Sequence, residues 1–288
     1  MIEKLYSIGE IAAKTGVTTR TLRYYEEIGL IEPDLIKENG YRYYSERTAT
    51  IIPVIKYLQF MDFNLKEIKD FIDNGDYEKK MISFKTAIAR TKEEINKLKA
   101  RIAVISDWDK LINESVIFHL INKEVPIKVR RHEKVDVIKY DMDFDFDYKK
   151  LILSVDFANF VSENNTTITD SVMAYYPSFK KRIEDEKNKN TTPVVCLQKT
   201  VSKIENIENM TRIEEGYYLS TYHLGAYNNI IDSYIRAENY AKEKGYTLKN
   251  EAIERFVLDY WTTTNEGEFV TEILIPIENY EKFREEQE

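Results

Sequence analysis

Up to about residue 73, apolar positions recur at steps of three and four in short runs that Gly, Pro and Asn break off, a rhythm of short amphipathic helices. Ile8, Ile11 and Ala12 form the face of a first helix, opened by the capping-box pair Ser7 and Glu10 and closed near Gly16. Thr18 or Thr19 caps a second helix, whose buried stripe is Leu22, Tyr25 and Ile28; Gly29 ends it and Pro33 bars its continuation. From Leu35 the pattern alternates instead, with Asn39 and Gly40 between two strand-like runs, a strong hairpin signal because both residues tolerate positive φ. Ser45 starts a third helix reaching about Met61, with Pro53 inside it as an expected bend. Asn64 starts a fourth, closed by Asn74 and Gly75. Helix, turn, helix and wing in this order make a DNA-reading unit.

The rhythm then lengthens. Met81, Phe84, Ile88, Thr91, Ile95, Leu98, Ile102 and Ile105 step by three and four without a break, with charged residues between, which is a coiled-coil seam on a helix over 76–112. A regular period of this kind suits another helix, so the natural partner is a second copy of the chain. After a linker at 113–125 the period changes to that of strands. GlyTyrTyrLeuSerThrTyrHisLeu at 216–224, an amphipathic helix to Gly245, and strands at 253–260 and 268–276 give the order β-α-β-β. A fainter copy precedes it: a strand near 128–139, a helix near 148–161, and strands at 171–176 and 193–201. The reading is an α+β chain in three parts: an N-terminal winged helix-turn-helix over 1–75, a long coiled-coil dimerisation helix, and a duplicated β-α-β-β effector-binding domain over 126–288.

Composition narrows the function. The 288 residues are 43 % hydrophobic and 32 % charged, with no apolar run long enough to span a membrane and no signal-peptide core at the N-terminus, so a cytoplasmic protein is expected. One cysteine, Cys196, excludes an internal disulfide, and His119, His132 and His223 are scattered, so neither a metal site nor a cofactor is expected. The net charge of −8 opposes nucleic acid, but Lys14, Arg20, Arg23, Lys37, Arg42, Arg47 and Lys56 gather in the N-terminal block, far from acidic runs such as 141–147. In the second helix Arg20, Arg23 and Tyr24 face outward. On the wing Arg42 and Tyr44 share one side of their strand.

ArgTyrTyrGluGluIleGlyLeuIleGluPro at 23–33, GlyTyrArgTyrTyrSer at 40–45 and PheAsnLeuLysGluIle at 63–68, in this order and spacing, resemble the DNA-binding domain of the MerR family of transcription regulators. The resemblance implies a homodimer that binds double-stranded promoter DNA, distorts it for RNA polymerase and acts as an activator. It also implies a DNA face of Thr19, Arg20, Arg23, Tyr24, Tyr41, Arg42 and Tyr44, with Arg42 on phosphate. Asp62 and Gln59 depart from the family's habit of Gly and a basic residue.

Residues 125–280 resemble the GyrI-like effector-binding domain of multidrug-sensing regulators, through GluArgPheValLeuAspTyr at 254–260 and ThrGluIleLeuIlePro at 271–276. Alternation along the strand from 253 puts Glu254, Phe256, Leu258 and Tyr260 on one face. If that face looks inward, a carboxylate among aromatic rings suits a lipophilic cation, and Tyr148, Tyr222 and Tyr227 are further candidates for the pocket. The plainer alternative is a Glu254 satisfied by Arg255, a Lys or backbone donors. The resulting expectation is a ligand-responsive, non-enzymatic regulator that senses lipophilic, cationic small molecules. The alternatives are a GyrI-like hydrolase using Glu254 and a tyrosine as acid and base, or a protein-interaction module.

Overall fold

The computed structural model describes residues 4–73, 76–121, 125–164, 166–201 and 207–280, without the side chains of 119–121 and 207. The chain divides into two units, Met1–Lys97 and Leu98–Glu288.

In the first unit β1 (Tyr6–Ser7) leads into α1 (Ile8–Thr15) and α2 (Thr19–Glu27), and the wing is β2 (Leu35–Ile36) with β3 (Arg42–Tyr44). The expected caps are present. Ser7 and Glu10 satisfy each other's backbone N–H groups, and the Thr18 hydroxyl accepts from the Thr21 N–H at 3.1 Å. β3 pairs on both sides, Tyr6 opposite Tyr44 and Leu35 opposite Tyr43, so the hairpin is stitched to the start of the chain. α3 (Glu46–Phe60) runs through Pro53, which lies on its exposed side, while Ile52 and Ile55 enter a core shared with Ile11, Leu22 and Tyr25. Asp62, the residue standing where the family favours Gly, adopts φ +64°, the left-handed region in which a Cβ is disfavoured. Asn64 and Glu67 cap α4 (Leu65–Asp73) reciprocally; the expected stop at Asn74 and Gly75 lies outside the described residues.

α5 runs Tyr77–Ile121, so most of the stretch read as a linker at 113–125 is helical. Its beginning is fixed to the first unit by an edge-to-face trio of Phe63, Phe71 and Phe84 and by Arg90 on Glu67 at 2.9 Å. Along the seam Met81, Ile88, Ile95, Leu98, Ile102 and Ile105 remain between 45 and 64 % exposed. Apolar residues left open in such a row mark an interaction surface.

The second unit is built on one eight-stranded antiparallel sheet. Its strands are β4 (Lys128–His132), β5 (Val135–Phe144), β6 (Ile168–Tyr176), β7 (Thr192–Thr200), β8 (Met210–Ile213), β9 (Gly216–Leu224), β10 (Ala252–Leu258) and β11 (Val270–Pro276), in the order β4-β9-β11-β10-β6-β7-β5-β8. The duplication is visible in that order, since β5, β7 and β6 mirror β9, β11 and β10 about the β6–β10 pair. The single strand read at 128–139 is two strands, and the helix read at 148–161 is α6 (Tyr148–Ile152) and α7 (Val155–Glu163), divided where Ser154 caps the second. α8 (Phe179–Asn188) has no counterpart in the sequence reading, whereas α9 (Ile230–Lys244) is the helix expected before Gly245. The strand read to 260 stops at Leu258, after a register shift between Phe256 and Leu258.

Candidate functional site

On the recognition helix α2, Leu22 and Tyr25 are buried, and Thr19, Arg20, Arg23 and Tyr24 stand on the exposed side. Tyr41 at the tip of the wing is exposed as well. Arg42 and Tyr44 do share a side of β3, but that side faces α2. The Arg42 Nε lies 2.6 Å from one oxygen of Glu26, and the Tyr44 hydroxyl donates to the other at 3.0 Å. Tyr44 is buried, with its hydroxyl pushed up to about 12 first by burial and then by Glu26, so it is a core residue and not a surface for DNA. Arg42 keeps 46 % of its side chain exposed. Gln59 accepts from the Tyr25 hydroxyl at 3.0 Å, which holds α2 against α3.

In the second unit Glu254 is fully buried on β10, opposite Ala174 on one neighbouring strand and Ile273 on the other. Its carboxylate is occupied. Tyr234 donates to Oε1 at 2.9 Å, Tyr176 to Oε2 at 3.3 Å, and Nε of the equally buried Arg182 lies 3.2 Å from Oε1. Arg182 also reaches Glu186 at 2.6 Å and the Tyr148 hydroxyl. Three rings surround its guanidinium, Phe146, Tyr176 and Tyr234, at 5.2–5.5 Å from their centroids. Burial alone lowers the Arg182 pKa, but Tyr148 and Glu254 beside it hold it well above the ordinary value, so the side chain is a permanent cation. These rings, none of them a candidate read from the sequence, form an aromatic cage that the chain's own guanidinium fills.

The sequence candidates divide around this pair. Tyr148 stacks on Tyr227 at 4.0 Å, and Phe256 meets both rings edge-on, so these three form one buried aromatic cluster, which the Tyr148 hydroxyl joins to Arg182. Tyr260 lies in the turn beyond the strand, with its hydroxyl on Glu266 and its ring on Phe269. Tyr222 is on the other face, because Arg255, Glu272 and Tyr222 are mutual neighbours across β10, β11 and β9, one residue out of step with Glu254 and Ile273. There Arg255 bridges Glu272 at 2.7 Å and Glu114 of α5, and Tyr222 donates to Glu114 at 2.7 Å. Arg255 thus does not satisfy Glu254. Arg182, Tyr176 and Tyr234 were not found in the sequence, and the one available signal was Glu186 placed four residues after Arg182. Cys196 is buried, which pushes its thiol up to about 12 and keeps it protonated. Among the described residues, no group of His, Cys, Asp and Glu is arranged to hold a metal ion.

The first unit and the sheet domain each match a known family. Residues 6–75 match the MerR HTH family of regulatory proteins, and residues 156–278 match the GyrI-like small molecule binding domain. The chain is thus a MerR-family regulatory protein, with a GyrI-like domain behind its DNA-binding head. It is 23 % identical to the multidrug-efflux transporter 1 regulator of Bacillus subtilis, over 96 % of this chain and 99 % of that one. To the multidrug-efflux transporter 2 regulator of the same organism it is 30 % identical over 48 % of this chain, a match that spans about half, 54 %, of that relative. Among solved structures, the EcmrR–DNA complex has a TM-score of 0.46 and 20 % identity over 95 % of this chain and 99 % of that one.

Proposed function

We propose that the chain is a ligand-responsive transcription activator. It binds double-stranded promoter DNA as a homodimer, and small lipophilic molecules held by its C-terminal unit change how RNA polymerase reads that DNA. The observation that carries this reading is the union, in one chain, of an exposed Thr19, Arg20, Arg23 and Tyr24 face on a capped recognition helix with a GyrI-like domain. Guanidinium and hydroxyl donors on the outer side of such a helix contact base edges and phosphates together. For an effector to act on the DNA-bound dimer, it must have unequal affinities for two arrangements of that dimer. A cation recruited by Glu254 would first have to displace the guanidinium of Arg182, so the Glu254 chamber in this form offers no free negative charge.

The open row from Met81 to Ile105 supports dimerisation through α5. Ile95→Asp combined with Leu98→Asp places two charges in it. We expect sedimentation to show a monomer where the wild type is a dimer, and operator affinity to fall at least about tenfold, since a monomer reads one half-site. A dimeric double variant with normal operator binding would remove the helix as the dimer contact.

A further inference from the structure

Both tryptophans of the chain line one cleft in the second unit. Trp108 and Leu111 enter it from α5, Phe157 from α7, Phe256 from β10, and Trp261 from the turn that follows, where its indole N–H donates to the Ile152 carbonyl at 3.2 Å and fixes the ring. The cleft encloses about 220 Å³. Asp259, at the end of β10, also lines it and is only 4 % exposed. One of its oxygens accepts the Trp261 backbone N–H at 2.8 Å, and no cation reaches it among the described residues.

That vacancy of charge separates Asp259 from the other acidic groups nearby. Asp107 has Lys110 at 2.8 Å, Asp170 has Lys199 at 3.8 Å, and Glu254 has Arg182. Burial raises the Asp259 carboxyl to about 6, yet at neutral pH it still carries its charge, enclosed and unpaired. We propose that this cleft, and not the chamber around Glu254, is the site at which the GyrI-like domain takes small aromatic or alkyl ammonium compounds, with Asp259 as counter-ion and the two indoles as walls. The inference rests on the ligand-responsive function proposed above and gives it a site.

Three properties define the ligand. A single carboxylate among apolar walls cannot replace the hydration shell of a hard metal ion, which takes several oxygen ligands. An organic ammonium loses less on desolvation and gains from indole faces, the strongest partners for a cation. The volume is below the ~300–1,000 Å³ of drug-sized sites, so one ring with a compact ammonium head is the scale that fits. Because Trp108 and Leu111 belong to α5, such a ligand would touch the same helix that carries the dimer seam.

The test uses the full chain and benzyltrimethylammonium as the probe, followed by tryptophan emission and by calorimetry. Since the only two indoles wall the cleft, binding there must change the emission. We expect a saturable change in the wild type, with the same dissociation constant by both methods, and at least tenfold weaker binding in Asp259→Asn, which keeps the acceptor for the Trp261 N–H. Binding detected by calorimetry without an emission change, equal affinity in Asp259→Asn, or no binding at all would each overturn the assignment. DNA binding by the same samples tests the regulatory reading separately: operator binding that persists without probe binding sinks only the cleft.

Discussion

Arg182→Met is expected to destabilise the second unit by about 3–5 kcal/mol, the cost of leaving one partner of a buried ion pair without the other. Both side chains of the Glu254–Arg182 pair are fully buried, so water cannot take over when the guanidinium is removed. Tyr234 and Tyr176 would still donate to the carboxylate, but burial raises both hydroxyls well above their ordinary values, so they are neutral donors and cannot cancel its charge. The double variant Arg182→Met with Glu254→Gln removes both charges of that pair together and leaves only the partly exposed Glu186 without its cation. It should recover most of the loss, because a buried pair replaced as a whole is often close to neutral. Urea unfolding followed by tryptophan emission reads this unit alone, since Trp108 and Trp261 both lie within it. Additive losses in the double variant would show that the two groups are not coupled.

Asp259→Asn should act in the opposite direction and stabilise the protein at neutral pH. Burial raises the carboxyl from an ordinary 3.8 to about 6, a difference that corresponds to on the order of 3 kcal/mol held against folding once the group is ionised. The sign follows from proton uptake. Between the two values the folded state holds the proton and the unfolded state does not, so wild-type stability falls as pH rises from about 4 to 6 and then levels off. The gap between variant and wild type should accordingly be near zero below pH 4 and fully open above about 6. A buried charge kept at a cost, where an amide would fit the same turn, is the mark of a group retained for binding. A variant equal to wild type at neutral pH would mean that Asp259 is already compensated and has no need of a ligand.

The DNA-binding head was legible in the sequence because its signals are local. Ser7 with Glu10, Thr18, Ser45 and Asn64 each fix a helix start through hydrogen bonds within three residues, and the structure places all of these caps. Alternation also put Arg42 and Tyr44 correctly on one side of β3, but it does not say what stands over that side, and Glu26 of α2 does. The ligand-binding unit was harder. α8 is polar at eight of its ten positions, and its buried stripe of Phe179, Arg182 and Asp185 is mostly charged, so a count of apolar residues misses both the helix and the cation it carries. On β10 the alternation holds from Glu254 to Phe256. The register shift then throws Leu258 toward Leu111 and Tyr222 on the other face, and brings Asp259 and Trp261 into a turn that no period describes.

The central claim, that the head of this chain reads DNA through α2, is tested most directly by selecting duplexes from a random pool with the full-length protein. Binding to the selected sequence is then compared between wild type and the double variant Arg20→Ala with Arg23→Ala over a range of salt. The two-fold symmetry of the proposed dimer predicts a pseudo-palindromic site whose affinity falls steeply with salt. The variant should bind at least about thirtyfold more weakly, and its salt dependence should be shallower for every phosphate that it no longer neutralises. A pool that yields no common sequence, or a variant that matches wild type in affinity and slope, would contradict it.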